Sequence, residues 1–147
     1  MEETLVILKP DCVQKKLAGR VIARFEEAGL AIAGMKMALL DDALLDEHYA
    51  HLKDKPFFPE LKNVMKSSPV VLMVLRGDNA VEAVRAMCGP TDSKKALKGT
   101  IRGDYGTDVQ RNIVHASDSR ETAEKEITRF FSKSELFGWR LQGIQKE

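Results

Sequence analysis

The stretch "VVLMVLRGDNAVEAVRAMCGP", Val70 to Pro90, joins an unbroken apolar run of strand length to an amphipathic helix. Val70 to Leu75 carries no polar residue, so it reads as a fully apolar strand. The period then changes. Asn79 reads as a helix N-cap, Glu82 stands three residues later, and Gly89–Pro90 follow as a stop. A strand that feeds a helix is therefore the unit on which the rest of the chain can be parsed.

Working outward, the same alternation recurs. "TLVILKPD", Thr4 to Asp11, reads as a short buried strand that stops at Lys9–Pro10. Val13, Leu17, Val21, Phe25 and Ala28 recur every three or four residues as one helix closed by Gly29. "LAIAGMKMALL", Leu30 to Leu40, has strand length. A helix begins at Asp41 or Asp42, with Leu45, Tyr49 and Leu52 on one stripe. "KPFFPEL", Lys55 to Leu61, reads as a loop with two prolines around two aromatics. Thr91 to about Arg111 shows little periodicity, and a loop of that length in a compact domain is usually functional. A short strand at Ile113–Val114 follows, then a helix with Ala123, Ile127, Phe130 and Phe131 on one face. From Ser132 the pattern weakens.

The order β-α-β-α-β-α-loop-β-α implies an α+β sandwich, with helices on a mainly antiparallel sheet of about four strands. A ferredoxin-like core with one extra helix pair fits it. The chain has 147 residues, which suits a single domain, 1–147. Lys plus Arg number 23 and Asp plus Glu 22, a net charge of +1 that gives no reason to expect a nucleic-acid or membrane surface. Cys12 and Cys88 lie far apart and form no C-x-x-C motif; reduced thiols in a cytoplasmic protein are the simplest reading.

Chemistry concentrates near "NIVHASDS", Asn112 to Ser119. Asp118 can cap the last helix, with Glu121 as capping-box partner. His115 then lies where a strand hands over to a helix N-terminus, whose free N–H groups suit anions such as phosphate. A neutral imidazole is a good nucleophile. A histidine satisfied within the core is the alternative. Glu126, on the edge of the apolar stripe, could accept a ring N–H from His115 and hold its tautomer, or could reach solvent as a rim glutamate. Lys9, Arg85 and Arg102 fall at element ends and could clamp a polyphosphate, although each alone also reads as a surface charge. His48 and His51, three apart, read as polar helix surface, with no matching third metal ligand.

These residues resemble a known family. "NIVHASDS" looks like the N-x-x-H-[GA]-S-D signature of nucleoside diphosphate kinases. "ILKPD", "HYAHLKDKPFF", "SSPVV", "DSKKALKGTIRGDY" and "TAEKEI" look like further blocks in the family order, from Thr4 to Phe131. The resemblance implies a ferredoxin-like fold and a ping-pong reaction that maintains nucleoside triphosphate pools. ATP with Mg²⁺ would phosphorylate His115, and a nucleoside diphosphate would then take the phosphoryl group. It implies that Glu126 orients the far nitrogen of His115 and that Ser117 supports the pair. Lys9, Tyr49, Arg85, Thr91 and Arg102 would surround the phosphates, with Lys9 and Asn112 also reaching the sugar. Phe57 and Val109 would sandwich the base, with Leu61 nearby. No protein carboxylate is assigned to Mg²⁺, which the nucleotide's phosphates would hold. A homo-oligomer, tetramer or hexamer built from dimers, is also implied, and a cytoplasmic location.

Two positions depart from the pattern. Ala116 replaces the glycine most members have, and Lys98 stands where members usually have proline, in a loop tied to subunit contacts. Two rivals remain: an RNA-recognition-like binding module of the same fold, for which "TLVIL" and "VVLMVL" lack the exposed aromatics, and a phosphocarrier without nucleotide specificity.

Overall fold

The computed structural model describes residues 1–138. Among them, four strands form one antiparallel sheet in the order β2-β3-β1-β4: β1 is Glu2–Leu8, β2 Ala31–Ala38, β3 Val70–Gly77 and β4 Val114–Ala116. The expected α+β, ferredoxin-like arrangement is what forms. The register sets Leu5 opposite Val74 and Val6 opposite Met73, while Ile7 of β1 faces His115 of β4.

The unbroken apolar run of β3 has a simple cause: both faces of the sheet are covered. Val6, Leu8, Val71, Met73 and Leu75 pack in one core with Val21, Phe25, Val84 and Cys88. These last come from helices α2 (Ala18–Glu27) and α5 (Ala80–Cys88). Leu5, Ile7, Val70, Leu72 and Val74 pack in the other with Leu45, Phe58, Met65, Ile127 and Phe130. Those come from α3 (Asp42–His48), α4 (Phe58–Lys66) and α7 (Arg120–Phe130). Successive strand residues point to opposite faces, so Thr4–Leu8 and Val70–Leu75 are buried at every position and alternation vanishes.

Several sequence expectations change. The first helix is two: α1 (Pro10–Gln14) ends before α2, and Lys16 between them takes a left-handed φ of 60°. "KPFFPEL" is not wholly loop, because Phe58 starts α4 with Pro59 inside its first turn, where a missing N–H costs nothing. The Thr91–Arg111 stretch contains a short turn, Ser93–Lys95, and α6, Ile101–Tyr105. Asn79 is the N-cap, with φ 51°, but its side chain makes no cap hydrogen bond; Glu2 Oε2 of β1 accepts from Val81 N at 2.9 Å and satisfies that helix end instead. The last helix is capped by Ser119, which accepts from Thr122 N at 3.0 Å, and not by Asp118.

Beyond α7 the chain turns at Lys133–Glu135 and crosses β2, where Phe137 N donates to Ala33 O at 2.9 Å. A Cβ on Gly34 would lie 2.9 Å from Leu136 Cδ2 and 3.0 Å from Glu135 O, so the small residue lets the chain cross closely. The weakly patterned tail from Ser132 is thus packed as far as 138, and its remainder lies outside the described residues. Cys12 and Cys88 are free and buried. Among the described residues no helix is long and apolar enough to cross a membrane.

Candidate active site

A cleft of about 740 Å³ opens beside the carboxyl end of α5 and the strand β4. It brings together Lys9, Tyr49, Phe57, Leu61, Arg85, Thr91, Arg102, Val109, Asn112 and His115, ten of the residues singled out from the sequence. Ser117 and Glu126 do not line it; they stand behind His115. Leu52, Cys88, Gln110 and Asp118 also face the cleft and had no assigned place there.

His115 is aimed by its strand. Its register partner Ile7 packs on the face covered by α3, α4 and α7, so the imidazole projects toward α7. There Glu126 Oε1 lies 3.0 Å from His115 Nε2. Glu126 is only 6% exposed, which rules out a rim glutamate reaching solvent. The Ser117 hydroxyl donates to the same Oε1 at 2.7 Å and accepts from Leu5 N at 3.3 Å. Burial works against ionisation of Glu126, but the His115 and Ser117 hydrogen bonds outweigh it and hold the carboxyl at about 2. A carboxylate accepts only, so the neutral imidazole must carry its proton on Nε2. That leaves the lone pair on Nδ1.

The strand before His115 is held under strain. Ile113 has φ 74°, which is costly for a β-branched residue. Asp11 Oδ2 accepts from Ile113 N at 3.0 Å, and Lys9 N donates to Ile113 O at 2.9 Å. The "KPD" corner thus clamps the entry to β4 from both sides.

The cations are built in differently. Lys9 is 5% exposed and donates to Gln110 O at 2.6 Å and Asn112 Oδ1 at 2.8 Å. Burial, helped by nearby Arg102, lowers its pKa to about 8. Asn112 Nδ2 donates to Thr91 O and Val109 O, tying the loop to the same corner. Arg102 donates to Gly89 O at 2.7 Å, Val114 O at 2.6 Å and Asn112 O at 3.3 Å. It therefore braces three segments of the cleft, and burial lowers its pKa. Gly89, with φ 83°, has no room for a Cβ against Thr100. Arg85 is exposed into the cleft. Phe57 and Val109 are 42% and 54% exposed, apolar surfaces left open at its mouth.

His48 was misread. It is not polar surface but 4% exposed, edge-on to His115 with ring centroids 4.7 Å apart. Its spacing had the signal: Leu45, His48 and Leu52 fall three and four apart on the apolar stripe. Arg129 Nη1 donates to His48 Nδ1 at 2.9 Å. Burial, with His115 adding to it, lowers the His48 pKa to about 3.

Oxygen-seeking Mg²⁺ finds little protein to hold it here. Asp118 is the one carboxylate among the described cleft residues, against Lys9, Arg85 and Arg102. That donor set fits an anion, and a metal only as part of a phosphate complex.

The description "Nucleoside diphosphate kinase" belongs to the family model that matches residues 2–136. The nucleoside diphosphate kinase of Parabacteroides distasonis is 53% identical over 144 residues, covering 98% of this chain and 94% of that protein. That of Pyrococcus horikoshii is 52% identical, covering 92% and 88%. A solved structure of a halophilic nucleoside diphosphate kinase from Halobacterium salinarum in complex with CDP superposes with a TM-score of 0.93 at 43% identity, covering 96% and 94% of the two chains. The Aquifex aeolicus enzyme gives 0.88 at 41%, covering 92% and 98%. With the family matched over nearly its whole length, the chain belongs to the nucleoside diphosphate kinases, phosphotransferases of nucleotides.

Proposed function

We propose that this chain passes the γ-phosphoryl group of a nucleoside triphosphate to a nucleoside diphosphate through His115 Nδ1. The observation that carries it is the His115 Nε2–Glu126 contact of 3.0 Å at the wall of a cationic cleft. The Nδ1 lone pair attacks the γ-phosphorus, and the bond to the β,γ-bridging oxygen breaks. The electron pair leaves with the diphosphate. The proton stays on Nε2, and the ionised Glu126 balances the charge that the phosphorylated ring acquires. In the second half, a β-phosphate oxygen of another diphosphate attacks phosphorus and the P–N bond breaks. Ser117 keeps Glu126 aimed.

Lys9, Tyr49, Arg85, Thr91 and Arg102 receive the phosphates, and Lys9 and Asn112 the sugar. Phe57 and Val109 hold the base between apolar faces, with Leu61 beside them. Mg²⁺ enters as the Mg·ATP substrate and supplies charge neutralisation on the phosphates. Subunits assemble as a tetramer or hexamer of dimers, and the enzyme works in the cytoplasm.

An RNA-recognition-like module is not favoured, since the central strands are covered on both faces and offer no stacking platform. The test is to add γ-labelled ATP without acceptor. The chain should take up label that is lost in acid and kept in base, and release it as a new triphosphate when another diphosphate is added. Label that survives acid, or that persists in His115→Ala, overturns the assignment.

A further inference from the structure

His115 is shared by two openings. Besides the nucleotide cleft, a second cavity of about 510 Å³ reaches it from the α3–α7 side, lined in part by His48, His51, Lys125, Glu126 and Arg129. At its inner end one ligand atom from each of His48, His115 and Glu126 lies within 4.8 Å of the other two. His48 Nδ1 stands 3.9 Å from Glu126 Oε2, the carboxylate oxygen not bonded to His115. We propose that His48, His115 and Glu126 form an inhibitory site for a borderline-soft divalent cation of the Zn²⁺ class.

The donor set suits that class. Two imidazoles and a carboxylate are a familiar zinc triad, and the cavity leaves a fourth position for water. Mg²⁺ prefers oxygen and competes poorly for it. Tetrahedral zinc needs ligand atoms about 3.3 Å apart, so small side-chain shifts complete the site. Because Arg129 donates to it, His48 Nδ1 is the unprotonated ring nitrogen, the one that can ligate a metal once the guanidinium moves. A histidine is needed here for no polar bond beyond that one, because its buried Nε2 has no partner among the described residues.

Arg129 is what keeps the site closed. Its guanidinium occupies the lone pair that the metal would take, and its Nε is already paired outward with Glu47 Oε2 at 3.2 Å. Swinging toward Glu47 would clear the way. Metal on His115 Nε2 displaces the proton from that atom. In the neutral ring the proton moves to Nδ1, which then has no lone pair to attack phosphorus. Inhibition therefore acts through the tautomer, with the nucleotide cleft itself left open. This consequence rests on the reading of Nδ1 as nucleophile; the binding does not.

Calorimetry of the full chain with Zn²⁺ in excess Mg²⁺ should give one site per chain. His48→Gln should weaken it about 100-fold, and Arg129→Gln, which removes the guarding cation, should tighten it about tenfold. Chain loaded with one equivalent of Zn²⁺ should fail to label with γ-labelled ATP, and chelator should restore labelling. No binding, or binding that His48→Gln leaves unchanged, overturns the site. Arg129→Gln binding no more tightly than the parent also overturns it, and covers the case of a misfolded His48 variant. Zinc bound at His48 while labelling proceeds overturns the tautomer mechanism. Failure of the metal-free chain to label is a failure of the phosphohistidine reading, which calorimetry would separate from failure of the site.

Discussion

At Lys9 the residue type and its surroundings pull apart. A lysine is wanted for its charge, yet burial lowers its pKa to about 8 and leaves it 5% exposed. Below that pH the ammonium is present and can meet a phosphate; above it the free chain loses the charge. We expect kcat/KM, which reports on free enzyme, to fall as pH rises through about 8. Lys9→Arg, charged at any usable pH, should lose that alkaline limb while losing activity overall, because a fork does not replace a point donor between Gln110 O and Asn112 Oδ1. An alkaline limb unchanged in Lys9→Arg would assign it elsewhere. Phe57 carries a different expectation. Stacking contributes roughly 1–3 kcal/mol for any base, with little spread among bases. A thousandfold preference between purine and pyrimidine diphosphates needs about 4 kcal/mol of selective contact. Phe57, Val109 and Leu61 are apolar and cannot supply it, so parallel kcat/KM measurements should stay well inside that ratio.

At the scale of elements, helix ends are where local rules and the folded chain disagree. Asp118, Ser119 and Glu121 all suit the start of α7, and spacing alone favours the aspartate. The backbone decides otherwise: Ser119 is extended at φ −159°, and its hydroxyl reaches Thr122 N. Ser119→Ala should therefore cost about 1 kcal/mol in urea unfolding. Asp118→Ala should cost clearly less, since its side chain faces the cleft. Equal losses would return the cap to Asp118. α5 shows the opposite solution, in which a strand residue, Glu2, replaces the expected local cap at Asn79.

For the whole molecule, the loop around Lys98 bears on stability and, under the proposed assembly, on subunit contacts. Its main-chain bonds come from neighbours: Thr100 N donates to Leu97 O at 3.2 Å, and Gly99 N to Asp104 Oδ1 at 2.9 Å. Among the described residues Lys98 donates none from its own N–H. Proline there would forfeit no bond and would narrow the unfolded ensemble, so Lys98→Pro should stabilise by roughly 0.4–1 kcal/mol. The gain should show in Tm and in the urea needed to dissociate the proposed oligomer, with kcat nearly unchanged. A lower Tm would mean that the loop is built around lysine, and a large fall in kcat would put Lys98 in the nucleotide site.

Much of this was open to reading along the chain. Strands β1 and β3, the helix ending at Gly29 and the strand-to-helix step at His115 follow from local period and from residues whose backbone preferences are strong. That Lys9, Arg85, Arg102 and His115 belong together was legible from their types at element ends and from family blocks in order, and they line one cleft. What lay beyond reach depended on contacts across long separations. α4 forms inside a proline-flanked stretch because Phe58, Leu61 and Met65 find a sheet face to cover. Glu126 could be solvent rim or buried partner until β4 and α7 met and enclosed it. His48 is the sharpest case. A polar residue on a surface helix and a neutral imidazole packed against the nucleophile have the same local sequence, and only the docking of α3 on α7, bringing Arg129 to its Nδ1, separates them.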